Sequence, residues 1–151
     1  MTDNPGGRPF YQRNNNKLFS AVARDIVELQ KIDRDFTICQ AGGLNHIDFT
    51  REFVFLSKTD DEISLVCESE YVPSDAVTAD PGWKALKICG RLDLEMTGVI
   101  SKIAGLLAEA GLGIFVVSTY NTDYILLKAA NFDRGLQTLA RNGYIIIGNA
   151  D

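Results

Sequence analysis

Two features of the sequence could do chemistry together. Gly98 precedes the stretch Val99–Ala110, in which Val99, Ile103, Leu106, Leu107 and Ala110 share one helical face and Gly111 supplies the stop. A helix start preceded by glycine offers unpaired backbone N–H groups to an anion, and glycine lets that anion approach closely. Asp123 falls at a corner between two expected strands, Ile114–Val117 and Tyr124–Lys128, at the same end of the sheet. Its carboxylate could receive a cationic group, and Asp93 and Glu95 in the loop before the helix could add negative charge. An ion buried there alone would be costly, so such a site must hydrogen-bond both ends of its ligand. Plain structural uses compete: Gly98 permits a tight turn into the helix, and Asp123 can bond the turn backbone.

Other chemistries find little support. His46, the single histidine, has no companion for a metal or a triad. Ser57, Ser64 and Ser118 lie on expected strands, with no GxSxG elbow. No P-loop occurs, and Gly105, Gly111 and Gly113 lack dinucleotide-binding spacing. Cys39, Cys67 and Cys89 are widely spaced, form no CxxC pair and sit in apolar runs, as buried reduced thiols do. No cofactor or metal is expected, and Trp83 reads as a packing anchor.

The elements that must position these residues are clearest in the second half. The patterns predict a strand over Ala85–Cys89, the helix from Val99, the two strands around Asp123, a helix over Phe132–Ala140 capped by Asn131, and a strand over Tyr144–Ile147. That β-α-β-β-α-β order is the ferredoxin-like arrangement, an antiparallel sheet with its helices on one face. In the first half, residues 1–25 read as a tail. Leu18–Leu29 suits a helix by one spacing, while Val27–Lys31 suits a strand by another. Asp33-Arg34-Asp35 reads as a turn, Phe36–Cys39 as a short strand, and Phe53–Ser57 with Ile63–Cys67 as a hairpin. Glu68–Gly82 reads as a link holding a short helix near Ser74–Ala79. A shift of 61 residues lays Phe53–Val66 on Ile114–Leu127 without a gap, with Ser57 on Ser118 and Leu65 on Leu126, consistent with a duplication.

Composition bounds the partners. With 151 residues, 46% of them hydrophobic and 23% charged, the chain can bury a core. Residues 34–83 carry ten acidic and three basic residues, so the net charge of −5 is concentrated in the middle. No basic stripe favours nucleic acid, no apolar run reaches the ~18 residues of a membrane helix, and no secretory leader is evident. The cytoplasm is the expected compartment.

The run Gly90-Arg91-Leu92-Asp93-Leu94-Glu95-Met96-Thr97-Gly98-Val99-Ile100, followed by Leu106-Leu107-Ala108-Glu109-Ala110-Gly111, resembles an ACT domain. Ser118-Thr119-Tyr120-Asn121-Thr122-Asp123-Tyr124-Ile125-Leu126 is similar to the tandem-ACT family that includes small bacterial ACT proteins and CASTOR-type arginine sensors. Lys58–Cys67 resembles the hairpin of that family's first unit. The resemblance implies two ferredoxin-like units, over 26–80 and 84–148, joined near Pro81-Gly82-Trp83, and favours the strand reading of Val27–Lys31. The first unit departs from the pattern in lacking a clear first helix. By the resemblance, the chain is a non-catalytic sensor of an amino acid, bound where units meet by Thr97, Gly98, Thr119, Tyr120 and Asp123. Internal pairing of units leaves room for a homodimer and a protein partner. An interaction module with a dead site and a small enzyme on the same scaffold are the alternatives.

Overall fold

The computed structural model describes residues 26–90 and 98–148; the expected tail lies outside them. Seven strands, β1 (Glu28–Gln40), β2 (Val54–Lys58), β3 (Ile63–Glu68), β4 (Thr78–Ile88), β5 (Phe115–Ser118), β6 (Asp123–Lys128) and β7 (Ile145–Ile147), form one sheet. Among the described residues two helices, α1 (Val99–Glu109) and α2 (Ala129–Arg141), complete an α+β fold. The sheet runs β2-β3-β1-β4-β6-β5, with β7 against β1; every pairing is antiparallel except β1–β7.

β1 and β4 are the two long central strands and serve both halves. The C-terminal part of β1 pairs with β3, its first residues pair with β7, and β4 runs alongside both parts. Val27–Lys31 is accordingly extended from Glu28 on, in agreement with the strand reading. Asp33-Arg34-Asp35 is not a turn. The register with β4 slips between Ile32↔Ala85 and Phe36↔Trp83, so these three residues bulge against a shorter stretch of β4. A bulge bends its strand and re-aims side chains. Three polar residues in a row look like a turn from sequence, but pairing on either side keeps the chain extended.

The other corrections are local. The strand expected from Ala85 begins at Thr78, so the expected junction at Pro81-Gly82-Trp83 lies inside β4. No helix forms at Ser74–Ala79; a single 3₁₀ turn lies at Ser69–Tyr71 instead. α2 begins at Ala129 with Lys128 at the cap position, ahead of the expected Asn131. In the hairpins, Phe55↔Val66 corresponds to Phe115↔Leu126, and Lys58↔Ile63 to Ser118↔Asp123. The hydrogen-bond offset is therefore 60 residues, not 61.

Three clusters form the core. On one face of the sheet, Val99, Ile103 and Leu107 of α1 and Phe132 and Leu139 of α2 pack on Leu29, Leu86, Ile88, Ile125 and Leu127. Gly135 lets α2 lie close, since a Cβ there would meet the Leu127 Cδ2 at 2.7 Å. In the first half, the same side carries Cys39, Leu65 and Cys67. It is covered by Ala41 and Ile47 of the loop after β1, with Val72 and Ala76, rather than by helices.

The opposite face turns inward on itself. Phe36, Val66, Ala85 and Leu126 are buried there, with Phe53, Phe55, Trp83, Phe115 and Tyr124 packed around them. The Phe55 and Tyr124 ring centroids are 4.8 Å apart, yet β2 and β6 stand four places apart in the sheet. A flat sheet would separate them by about 19 Å at the usual strand spacing, so the sheet folds over to close this face. Ion pairs line the closure. Arg34 Nε bonds Glu68 Oε1 at 2.8 Å, and Lys128 Nζ bonds Asp80 Oδ1 at 2.6 Å beneath the Trp83 ring. The Lys128 hydrogen bond holds the Asp80 carboxyl below its ordinary value.

Phe36 is fully buried at the crossing of β1 and β4. Phe36→Ala should cost about 3–5 kcal/mol in urea denaturation, the range for a core aromatic; a loss below about 1 kcal/mol would show the inner face is not a packed core. Burial, and then the neighbouring Cys39, push the Cys67 thiol up to about 12 from 9.0. Because the folded state keeps the proton longer, this stability is fully present below pH 9 and is lost as pH rises toward 12. Stability measured from pH 8 to 11 should fall less steeply in Cys67→Ala than in the parent; parallel curves would contradict the assignment.

Candidate functional site

At the end of the sheet where β4 finishes, the β5–β6 corner meets the strand that leads toward Gly98. Cys89 N donates to Glu28 O at 2.9 Å, closing the strand, and Gly90 turns the chain away with a φ of +82°. Asp93, Glu95 and Thr97 lie in the following stretch, outside the described residues. The chain returns at Gly98, whose φ of +92° lies in the left-handed region that glycine adopts without strain. Gly98 caps α1 with no side-chain hydrogen bond, and its carbonyl accepts from Lys102 N at 3.0 Å. Gly98 itself supplies no side-chain cap to the first-turn N–H groups of α1, and such groups can accept an anion.

The β5–β6 corner stands at the same end. Thr119 N donates to Thr122 O at 2.9 Å, and Thr119 Oγ1 donates to that same carbonyl at 2.9 Å. Tyr120 sits at the tip, 71% exposed. Asp123 is half-buried opposite Ser118, and among the described residues it has no ion-pair partner. Thr119 thus shapes the turn, and Tyr120 is exposed at its tip.

Sequence reasoning missed Thr122. Its side chain is 4% exposed, and Oγ1 donates to Ile88 O at 2.7 Å. That bond ties the hairpin corner to the last residue of β4, and so fixes the corner relative to the segment leading to Gly98. A lone threonine in a turn carries no sequence signal for this, because its partner is 34 residues away.

The first-half corner is built alike. Thr59 N donates to Glu62 O at 2.9 Å, and Thr59 Oγ1 accepts from Asp61 N and Glu62 N. At the 60-residue offset Thr59 coincides with Thr119. No glycine-opened helix accompanies this corner among the described residues.

His46 is exposed on the loop after β1. Trp83 packs edge-on against Phe115, with centroids 6.3 Å apart, and donates to Asp80 Oδ2, as a packing anchor does. Cys39, Cys67 and Cys89 are unbridged. No group of three metal-ligating side chains occurs among the described residues, and none of their helices is long and apolar enough to cross a membrane.

Comparison with known proteins fits this geometry. Residues 78–141 match the ACT domain family model, from the start of β4 to the end of α2. No curated protein matches the chain in sequence. A crystal structure of a protein from Agrobacterium tumefaciens is 27% identical, covers 84% of this chain and 96% of its own, and superposes with a TM-score of 0.73. A Vibrio cholerae protein of unknown function, described as a possible transport protein, is 19% identical over 78% of this chain and 90% of its own, with a TM-score of 0.61. Aspartate kinase from Clostridium acetobutylicum, described as an allosteric enzyme, is 13% identical, with a TM-score of 0.52. That match covers 78% of this chain but 34% of the kinase. The last two likenesses concern the fold alone.

Thr122→Val should cost about 1–3 kcal/mol, because it leaves the buried Ile88 carbonyl unsatisfied. It should also speed amide exchange in the β5–β6 corner, read by hydrogen exchange. Unchanged stability and exchange would show that the bond does not fix the corner.

Proposed function

We propose that this chain is a non-catalytic regulatory protein that binds an amino acid between the start of α1 and the β5–β6 corner. The observation that supports the reading is the bond from Thr122 to Ile88, which fastens the β5–β6 corner to the end of β4, the strand that leads toward Gly98. The helix start accepts the ligand carboxylate. Asp123 accepts an ammonium or a basic side chain, and Thr119 and Tyr120 border it. Asp93, Glu95 and Thr97 belong to the same reading by their place in the sequence. The ACT match over 78–141 supports the class of function.

The reading extends to two ACT-like halves, over 26–80 and 84–148, that share the long strands β1 and β4. The 60-residue correspondence of the hairpins supports it, together with the shared Thr59 and Thr119 corners. On this reading the first half keeps the corner and has lost the glycine-opened helix, so the second half carries the ligand.

Thermal shift against the proteinogenic amino acids should find at least one that raises the melting temperature by mass action. Asp123→Ala should weaken that ligand by roughly 2–5 kcal/mol if the charge pair is desolvated, and leave the unliganded melting temperature nearly unchanged. Unaltered affinity would reduce Asp123 to a turn residue and sink the assignment.

A further inference from the structure

Cys39 and Cys67 form a pair that neither the β5–β6 corner nor the inner face uses. Cys39 stands opposite Leu65, and Cys67 opposite Thr37, on the paired strands β1 and β3. The two cysteines are therefore diagonal neighbours on one face of the sheet, and both are buried in the same cluster. Burial raises both thiols. The hydrogen bond between them then lowers Cys39 in part and, after the Cys39 charge, adds to the rise at Cys67. Cys67 is thus the donor, and Cys39 is the sulfur that gives up its proton first.

The cover over the pair is a loop and not a helix. Ala41 and Ile47, with Val72 and Ala76, lie over the sulfurs, and the loop is tied to β3 by Ala41 N donating to Ile63 O at 2.9 Å. Gly42 leaves room for Asp75, since a Cβ there would meet Asp75 O at 2.6 Å and Oδ2 at 3.1 Å. Asp75 Oδ1 is buried with no hydrogen-bond partner, and the Asp75 charge reaches Cys39. Glu68 is the other charged group that acts on the pair, through Cys67. A cover with an unsatisfied carboxylate oxygen is poorly sealed, and irregular segments of this kind open locally at low cost.

Diagonal Cα atoms on antiparallel strands stand about 7–8 Å apart, at the far limit of what a disulfide spans. A bond between these two sulfurs draws β1 and β3 together and stores strain, and strained disulfides are the readily reduced, regulatory ones.

We propose that Cys39 and Cys67 are a reversible redox site, joined as a strained disulfide by hydrogen peroxide and released by a small thiol. The Cys39 thiolate attacks one peroxide oxygen: an S–O bond forms, the O–O bond breaks, and the departing hydroxide takes the proton that Cys39 gave up, leaving as water. Asp75 Oδ1 is the unpartnered acceptor that can carry that proton. The Cys67 sulfur then attacks the Cys39 sulfenic acid: an S–S bond forms, the S–O bond breaks, and hydroxide leaves as water with the Cys67 proton. Two thiols and one hydrogen peroxide give one disulfide and two waters. Two molecules of a small thiol reverse it, restoring both cysteines and leaving as their own disulfide. Closing the bond shifts the strands beneath Ala41 and Ile47, so oxidation loosens residues 41–47. The site is separate from Gly98 and Asp123, and the inference does not rest on that reading.

The test exposes the folded full chain to hydrogen peroxide, removes the excess with catalase, alkylates in denaturant and maps the peptides. Loss of both thiols to one Cys39–Cys67 peptide pair is expected, with Cys89, at the other end of the sheet, still alkylated. Reduced glutathione should restore both thiols. Cys67→Ala should instead stop at a dimedone-reactive sulfenic acid on Cys39, and Cys39→Ala should leave Cys67 unoxidised. Hydrogen exchange over residues 41–47 should quicken in the oxidised chain. Retention of both thiols after Cys89 has been oxidised overturns the site, as does a bond to another chain in place of the internal one. A disulfide that withstands glutathione, or unchanged exchange over 41–47, overturns the switch. The parent's peptide map decides the pairing even where a variant fails to fold.

Discussion

The antiparallel pairing of β1 with β4 at Phe36 and Trp83 is the contact on which the rest of the molecule depends. At the hairpin offset of 60, Phe36 and Trp83 occupy equivalent positions, since Phe36 faces Glu68 on β3 as Trp83 faces Lys128 on β6. They are also each other's partners in the central ladder. Equivalent residues pair in this way only at a local two-fold axis. Each half therefore contributes one long strand to the centre and lays its hairpin on the outer side of it.

That arrangement explains the polar residues of the inner face. Glu68 and Lys128 occupy matching positions with opposite charges, and each is neutralised, one by Arg34 and the other by Asp80. Glu68 is buried, where a charge without a partner is expensive, whereas Lys128 is partly exposed. The pairs close two rims of one apolar interior. The β1–β4 ladder slips twice, once at Asp33-Arg34-Asp35 on β1 and once at Pro81-Gly82 on β4, so each rim lies beside an irregularity.

Much of the second half was legible from sequence, because Val99, Ile103 and Leu107 keep helical spacing and the strands around Asp123 are continuous apolar runs. The first half was harder to read for physical reasons. Asp33-Arg34-Asp35 is extended only because β1 is held on both sides of it by distant strands, and no local pattern records that. Thr78–Pro81 reads as a link by composition, but its residues complete a ladder with β1. The 61-residue shift rewarded the chance meeting of Ser57 with Ser118, whereas the hydrogen bonds count from Thr59 and Thr119. Of the site, the glycine opening α1 and the corner carboxylate were legible in their types. The bond from Thr122 to Ile88 was not, since it joins residues far apart in the chain.

The parallel pairing of β7 with β1 also governs how the chain can reach this state. Leu29 lies opposite Ile146, and the first residues of β1 cannot be flanked on that side until β7 is available. Loop closure over such separations must precede the reward of pairing, which slows folding. During synthesis β1 precedes all its partners and waits for β3, β4 and then β7. Nascent chains of this protein thus carry an unsatisfied strand edge until β7 has been made, the condition under which chains associate wrongly and chaperones engage.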